Sequence, residues 1–189
     1  MARWEAGSQG RLEEAALVLY RERGFEQTTV AEIARRAGLT ERTFFRYFAD
    51  KREVLFWGAG ALREYLVGAV AAAPAATPPL DAIAAALEGA ATDTFQGHRE
   101  HSRQRQAVVA ANAGLMEREL IKLATLAVAL AEALRGRGVG DATATLTAEV
   151  GIAIFKIAFE RWVTEDNGHD LAQLLRASFD ELRAATASK

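Results

Sequence analysis

The side chains best suited to chemistry lie close together, between positions 28 and 52 of the 189-residue chain. Arg42, Arg46 and Lys51 carry cationic donors, and Thr43 and Tyr47 add hydroxyl groups. An Arg guanidinium can pair with both acceptors on a guanine edge, whereas Thr, Tyr and Lys side chains suit phosphate oxygens. The pattern indicates a nucleic-acid contact, provided that the chain brings these side chains to one surface.

Two short helices joined by a tight turn are predicted to provide that surface. Thr29 and the glutamate three residues later have the spacing of a capping box, which begins the first helix. Gly38 suits a positive-φ turn, and Thr40 caps a second helix that Phe44 and Phe48 anchor inward. The segment is therefore predicted to be a helix-turn-helix. The residues left facing outward are Arg42, Thr43 and Arg46.

This segment resembles the N-terminal domain of TetR/AcrR-family transcriptional regulators over about residues 8 to 56. The motifs that carry the resemblance are Gly24-Phe25-Glu26-Gln27-Thr28-Thr29-Val30, Ile33-Ala34, Ala37-Gly38, Thr43-Phe44-Phe45-Arg46-Tyr47-Phe48 and Lys51. Many members carry Tyr where this chain has Phe45, so packing is kept and one phosphate hydrogen bond is lost. Lys51 and Thr28 or Thr29 are expected at helix N-termini, which favour anions. The implied DNA-contacting residues are Thr28, Thr29, Thr40, Arg42, Thr43, Phe45, Arg46, Tyr47 and Lys51.

Composition is compatible with a regulator of this kind. The net charge is −2, but basic residues cluster in the helix-turn-helix and acidic residues dominate further along the chain. The absence of cysteine excludes disulfides and zinc fingers. The N-terminus lacks an apolar signal core, and no uninterrupted apolar run reaches about 18 residues. We therefore expect a soluble, cytoplasmic protein.

The remaining chain is predicted to be helical throughout. A first helix runs from a Ser8 cap to Gly24, after an arm that we expect to be frayed rather than bound to DNA. A long helix from Asp50 to about Ala73 precedes a proline-rich linker that ends at Pro79. Helical spacing then predicts elements at about 78–96, 103–111, 115–135, 141–165 and 170–186. The predicted fold is all-α, with a helix-turn-helix domain over residues 1–56 and a ligand-binding and dimerisation domain over 57–189.

Two apolar groups in the C-terminal half suggest binding surfaces. The resemblance implies an effector pocket, although plain core packing explains the same residues. The pocket candidates are Trp57, Phe95, Arg99, Arg103, Met116, Leu120, Leu123, Phe155 and Phe159. The last two helices carry apolar stripes wider than one small core needs, and the resemblance implies that they pair with a second copy as a four-helix bundle. The interface candidates are Phe155, Trp162, Leu171, Leu174, Leu175, Ser178 and Leu182.

Enzymatic and metal chemistry find little support. His98 and His101 have a spacing that can hold a metal when a third ligand arrives from another helix, but we favour solvated histidines at a helix end. No Ser-His-Asp order, Gly-rich phosphate loop or paired glutamate-histidine helices occur. We expect no metal, no cofactor and no catalytic residue.

These patterns together predict a repressor that binds a palindromic operator as a homodimer. A largely apolar small molecule would release it by favouring a conformation whose recognition helices no longer match major grooves about 34 Å apart. No membrane partner is expected. The alternatives are a helical protein-interaction scaffold and an all-helical enzyme, of which the second leaves the signature in residues 28 to 51 unexplained.

Overall fold

A computed structural model of the protein describes residues 7–165 and 168–187. These residues form α-helices with short 3₁₀ and π turns and contain no strand, which confirms the all-α prediction. The predicted N-terminal arm lies outside the described residues, except for Gly7. The helices are α1 (Ser8–Arg23), α2 (Val30–Arg36), α3 (Glu41–Tyr47), α4 (Ala59–Ala72), α5 (Pro79–Ala90), α6 (Arg99–Ala110), α7 (Ala113–Gly136), α8 (Asp141–Thr164) and α9 (Leu171–Thr186).

Four predicted features of the helices differ from the structure. The helix expected from Asp50 onward is interrupted by a 3₁₀ turn, Glu53–Phe56, before α4 begins. All three apolar side chains of this turn are buried. The helix predicted over 78–96 ends in a π turn, Ala91–Phe95, and α6 begins at Arg99 rather than at 103. Ser8 is the first residue of α1 and makes no side-chain cap.

The chain divides into two compact units. The first unit comprises the residues up to Ala59 together with Glu100–Leu120, so it includes a segment that sequence analysis assigned to the C-terminal domain. Within it, α1 packs against α2, α3 and the 3₁₀ turn. Its core is apolar and draws on all of these elements, including Leu12, Ala16, Leu17, Ile33, Phe44, Phe48, Val54, Phe56, Val109 and Leu115.

The second unit comprises Gly60–Arg99 and the residues from Ile121 onward. Helices α5, α8 and α9 pack against one another and form the centre of its core. Gly151 of α8 permits a close approach, because a Cβ added there would lie 2.4 Å from Cγ2 of Ile83 on α5. Many core positions are alanines, including Ala84, Ala86, Ala90, Ala127, Ala131, Ala144, Ala148 and Ala158.

Two helical stretches, Glu53–Ala72 and Asp141–Thr164, are long and apolar enough to cross a membrane by length and composition alone. The first is not one continuous helix, because the 3₁₀ turn interrupts it. The second is α8, which contributes buried side chains along its whole length to the core of the second unit. Core helices of soluble proteins commonly have this composition, so neither stretch indicates a membrane protein.

Candidate DNA-binding surface and associated sites

Local hydrogen bonds define the ends of α2 and α3. The Thr29 hydroxyl accepts the Glu32 N–H at 3.2 Å, and a Glu32 carboxylate oxygen accepts the Thr29 N–H at 2.9 Å, which confirms the predicted capping box. The Thr29 N–H and the Thr29 hydroxyl both donate to the Glu32 carboxylate, and these two hydrogen bonds lower the pKa of Glu32. At the other end, Gly38 has a φ of +67°, and the Leu39 N–H bonds to the Ala34 carbonyl at 2.8 Å. The turn between the two helices is therefore fixed by the backbone.

The outer surface of α3 is cationic and aromatic. Thr40 caps this helix by accepting the Thr43 N–H at 3.1 Å, while Phe44 is fully buried beneath it. Arg46 donates to the Tyr47 hydroxyl at 2.7 Å, and its guanidinium lies 4.6 Å from the centre of that ring. We define the recognition face as Arg42, Phe45, Arg46 and Tyr47, which are all exposed.

Two members of this face have features that bear on DNA contact. Phe45 is 55% exposed, an unusual position for a phenyl ring, and packs edge-on against Phe44 at 5.5 Å. Among the described residues, no ion pair or hydrogen bond engages the Arg42 guanidinium. Its donors can therefore pair with a base edge without first breaking a contact inside the protein.

Thr28 requires a correction, because its side chain is 1% exposed. Its hydroxyl donates to the Gly24 carbonyl at 2.9 Å, so it closes the turn after α1 instead of facing a ligand. The sequence placed Thr28 beside Thr29 in the same motif, but only Thr29 is exposed. The Thr28 hydroxyl therefore stabilises a buried turn, whereas the Thr29 hydroxyl caps α2.

Lys51 also differs from the prediction. Its ammonium donates to three backbone carbonyls, those of Phe25 at 2.9 Å, Thr28 at 3.1 Å and Glu26 at 3.2 Å. The nitrogen lies 4.4 Å from the centre of the Phe25 ring. An ammonium has three N–H donors, so these carbonyls occupy all of them. In the structure the donors of Lys51 are engaged within the protein, and the expected phosphate contact stays a prediction.

The sequence analysis did not identify Tyr20, which is 3% exposed and contacts both Lys51 and Phe25. Its hydroxyl donates to the Lys51 carbonyl at 2.6 Å, and its ring packs edge-on against Phe25 at 5.1 Å. Burial raises the pKa of Tyr20, with a further contribution from the charge of Asp50. The helical spacing of Tyr20 from Leu12 indicated burial, and a buried tyrosine needs a hydrogen-bond partner, but nothing local in the sequence identifies Lys51.

Two other basic residues of the helix-turn-helix segment form ion pairs. Arg36 lies 3.3 Å from a Glu22 oxygen, and Arg52 lies 2.7 Å from an Asp50 oxygen. The Arg52 side chain, helped by backbone N–H groups, holds the pKa of Asp50 below its usual value. Neighbouring carboxylates therefore partly neutralise these two cations.

His101 is not a solvated histidine, which corrects the sequence interpretation. Its Nε2 lies 2.9 Å from Oε1 of Glu13, a carboxylate that is 4% exposed, and its Nδ1 lies 4.0 Å from Glu14. The hydrogen bond that His101 donates to the Glu13 carboxylate raises the pKa of His101. Ligand atoms of these three side chains lie within 4.8 Å of one another, the spacing of a possible metal site. The direct hydrogen bond explains the pairing without an ion.

The predicted effector residues fall into both units. Trp57, Arg103, Met116 and Leu120 belong to the first unit, and Met116 and Leu120 are exposed. The other candidates belong to the second unit: Phe95, Arg99, Leu123, Phe155 and Phe159.

The second unit contains an aromatic cluster, which we define as Phe95, Phe155, Phe159 and Trp162. Phe95 comes from the π turn and meets the three α8 rings at centroid distances of 5.8 to 6.2 Å. Arg99 lies nearby, donating to the Trp162 carbonyl at 2.7 Å and to the Glu165 carbonyl. Its guanidinium therefore binds the C-terminal end of α8.

The predicted subunit interface also needs correction. Leu171, Leu174 and Leu175 are 2%, 3% and 0% exposed within a single protomer, and Ser178 is 8% exposed. Phe155 and Trp162 are similarly buried, and Leu182 is partly buried against the same core. In the sequence, the apolar stripes of the last two helices exceeded what one small core needs. The structure shows that α5, which is distant along the chain, covers them. The six enclosed side chains are therefore not available to a partner, whereas Leu182 stays a candidate.

A different apolar surface is exposed on α8. Leu146 is 67% exposed and Ile157 is 55% exposed, with Val150 and Ala153 between them at helical spacing. We call these four residues the outer face of α8. Exposed apolar stripes of this kind are typical of surfaces that bind another protein.

Known proteins resemble both halves of the chain. Residues 12–56 match the family model for bacterial regulatory proteins of the tetR family, and residues 77–187 match the model of the MftR C-terminal domain. The HTH-type transcriptional regulator TcmR of Streptomyces glaucescens is 40% identical over 72 residues, which cover 38% of this chain and 32% of that protein. A Mycobacterium tuberculosis protein described as a mycofactocin biosynthesis transcriptional regulator, MftR, is 27% identical over 177 residues, covering 92% and 88% of the two chains.

A solved structure agrees with this assignment. FadR of Thermus thermophilus, a TetR-family transcriptional repressor crystallised with lauroyl-CoA, is 24% identical with a TM-score of 0.58, and the match covers 96% of each chain. Identity at this level shows a shared fold, while the family models span both halves of the chain. The chain belongs to the TetR family of transcriptional regulators, which are DNA-binding proteins and not enzymes.

Proposed function

We propose that the protein is a cytoplasmic repressor that binds a palindromic operator as a homodimer and is released by an apolar small-molecule effector. The observation that carries this proposal is the recognition face of α3. It combines two arginines, a tyrosine and an exposed phenylalanine on a helix whose opposite side is anchored by buried Phe44. A helix of this kind fits the major groove, where Arg can read guanine.

The remaining predicted contacts have narrower roles in this proposal. Thr29, Thr40 and Thr43 lie at the starts of α2 and α3, where the Thr29 and Thr40 hydroxyls form caps and the Thr43 hydroxyl lies 3.0 Å from that of Thr40. The backbone donors and the dipole at those helix starts favour a phosphate. Arg42 reads a base, while Phe45, Arg46 and Tyr47 contact the sugar-phosphate backbone.

The homodimer is argued from the outer face of α8. Leu146 and Ile157 are more than half exposed although α8 is a largely apolar helix. A second copy covers such a stripe most simply, because a two-fold axis brings the same face of each copy together. The two recognition helices of the dimer then bind the two half-sites of a palindrome.

The effector is argued from the aromatic cluster. Four rings with centroids about 6 Å apart present large apolar surfaces, with an arginine beside them at the end of α8. Such a setting suits a ligand with an apolar body. The FadR neighbour was crystallised with lauroyl-CoA, which makes a long-chain acyl-CoA the first compound to test.

Operator selection from a random duplex library, followed by fluorescence anisotropy, tests this function. We expect a palindromic consensus, and we expect lauroyl-CoA to weaken its binding while a short acyl-CoA does not. The affinity should fall steeply with salt, because several cations meet phosphates. If no sequence is selected, the proposal of a repressor is wrong and the alternative of a protein-interaction scaffold is favoured. Selection without any response to acyl-CoA would remove this effector class and leave the DNA-binding function standing.

A further inference from the structure

The π turn of the second unit, Ala91–Phe95, is held from two sides. On one side, the Tyr65 hydroxyl of α4 donates to Oδ2 of Asp93 at 2.9 Å. On the other, the Phe95 ring contacts the three aromatic rings of α8 at centroid distances of 5.8 to 6.2 Å. Side chains two positions apart on a helical turn do not face each other, so Asp93 and Phe95 can be engaged on different sides. Single π turns at the ends of or inside helices are frequent at functional sites.

Gly89 of α5 makes room for the Tyr65 hydroxyl. A Cβ added at this glycine would lie 2.6 Å from the hydroxyl oxygen, closer than real Cβ contacts come. The next nearest atom of the ring, Cζ, would lie 3.6 Å away, which is an ordinary contact distance. The missing Cβ therefore matters for the hydroxyl and not for the ring. Partial burial and the bond to Asp93 raise the pKa of Tyr65, so the hydroxyl keeps its proton and donates.

Phe95 occupies the surface that the α8 rings would offer to an effector. Aromatic rings with centroids about 4.5–7 Å apart are in contact, so no ligand fits between Phe95 and these rings as they stand. Trp162 and Phe155 are 4% and 9% exposed, which means that their rings are covered. An apolar ligand that stacks on the α8 rings must therefore displace Phe95.

We propose that Tyr65 and Asp93 form a clasp that keeps Phe95 over the α8 rings, and that an apolar effector binds after the clasp has opened. This inference rests on the proposed effector site in the aromatic cluster. The ligand competes against the clasp, because the hydrogen bond requires the π turn to stay in place. Weakening the clasp raises the population of the open turn, and the apparent affinity for a ligand that needs the open turn rises in proportion.

Three substitutions remove the clasp without changing a ring of the aromatic cluster. Tyr65→Phe deletes the donor, Asp93→Ala deletes the acceptor, and Gly89→Ala displaces the hydroxyl. Gly68→Ala in α4, which meets no atom within 4 Å, is the matched control for a glycine replaced within a helix. The affinity and the association rate for lauroyl-CoA are measured at a temperature where circular dichroism shows every variant folded. The dye anilinonaphthalene sulfonate serves as a second apolar probe that is not an acyl-CoA.

Each clasp variant should bind lauroyl-CoA about threefold more tightly than the wild type through faster association, because one hydrogen bond no longer opposes opening. Gly68→Ala should match the wild type. Gly89→Ala should have no further effect in a Tyr65→Phe background, since the nearest ring atom would then lie 3.6 Å from the new Cβ. In the ligand-free protein, the amides of Thr94 to Gln96 should exchange hydrogen faster in the clasp variants.

Two results with lauroyl-CoA would overturn the inference and leave the effector site standing. Unchanged or weaker binding by the folded clasp variants would show that Phe95 does not have to move. An effect of Gly89→Ala that persists in full in the Tyr65→Phe background would show that the glycine acts through the packing of α5 and not through the hydroxyl.

The dye separates the failure of the clasp from the failure of the proposed effector. If neither the wild type nor any variant binds lauroyl-CoA, the acyl-CoA proposal is wrong. Stronger dye fluorescence in all three clasp variants than in the wild type and Gly68→Ala would then still support the clasp. Equal dye fluorescence in all five proteins would overturn it.

Discussion

Both units have an apolar core, but they differ in the features that define the geometry of their helices. The helix-turn-helix depends on individually placed hydrogen bonds: the capping box of Thr29, the Gly38 turn and the three carbonyls on Lys51. The second unit depends on apolar packing of α5, α8 and α9, with alanines and Gly151 at the closest approaches. Directional contacts specify the angles that a DNA reader needs, whereas packed helices can accommodate varied apolar residues. The comparison predicts different responses to substitution in the two units.

Core disruption in the second unit should have the largest effect. Leu175→Asp places a carboxylate at a fully buried position with no partner, and we expect unfolding of the unit, at a cost of at least about 4 kcal/mol. Ile157→Asp is the matched control, because Ile157 is exposed on the outer face of α8. Thermal denaturation and sedimentation of both variants test the contrast. Ile157→Asp should remain folded but become monomeric, and a folded Leu175→Asp monomer would show that the stripe on α9 is the interface after all.

The close approach of α5 and α8 provides the next prediction. Gly151→Ala forces Ile83 to move, since the new Cβ would lie 2.4 Å from its Cγ2, and should cost about 1–3 kcal/mol in the free energy of unfolding. Gly68→Ala in α4 meets no atom within 4 Å and should instead stabilise by up to about 1 kcal/mol. Urea denaturation of the two variants measures both changes. If both substitutions change the free energy of unfolding equally, the effect of Gly151→Ala comes from helix propensity and not from the packing of α8 against α5.

The pair of His101 and Glu13 should make a pH-dependent contribution to the stability of the first unit. The Glu13 hydrogen bond raises the pKa of His101, so the stabilisation is complete below the pKa of an unfolded histidine, about 6.5, and is lost as pH rises through the higher folded value. His101→Gln should cost about 1–2 kcal/mol at pH 6 and progressively less in alkaline solution. Glu14→Gln, at a mostly exposed side chain, serves as the control. A stability difference that grows with pH would contradict the pairing.

The smallest predicted effect concerns the recognition face. Phe45→Tyr adds the hydroxyl that many relatives carry, at a ring that is already 55% exposed. It should tighten operator binding by about 0.5–1.5 kcal/mol without altering sequence preference. Anisotropy with the selected operator and one altered operator measures both properties. Unchanged or weaker binding would show that the phenyl ring packs on the sugar-phosphate backbone instead.

The sequence predicted those parts of the fold whose causes are local. The capping box at Thr29, the cap at Thr40 and the Gly38 turn depend on residues within a few positions of one another, and all three are present. Helix positions followed from apolar spacing, although the 3₁₀ turn after Asp50 did not, because its three buried side chains depend on the surrounding core.

The failures at Lys51, His101 and Leu175 share a physical cause, since each depends on a contact between distant segments. Lys51 meets carbonyls more than twenty residues away, His101 meets Glu13 across 88 positions, and Leu175 is covered by α5. A cation, a histidine and an apolar stripe look the same in sequence whether they face solvent, a partner or the interior of the chain. Only the folded structure distinguishes these environments.

The central claim is that α3 reads a DNA sequence through Arg42, and a base-substitution cycle tests it most directly. Operator affinity is measured for the wild type and Arg42→Ala on the selected palindrome and on operators altered at one base pair at a time. The account predicts a loss of about 1–3 kcal/mol on the selected palindrome and almost none on the operator altered at the base pair that Arg42 contacts. An equal loss on every operator would make Arg42 a phosphate contact and contradict the claim.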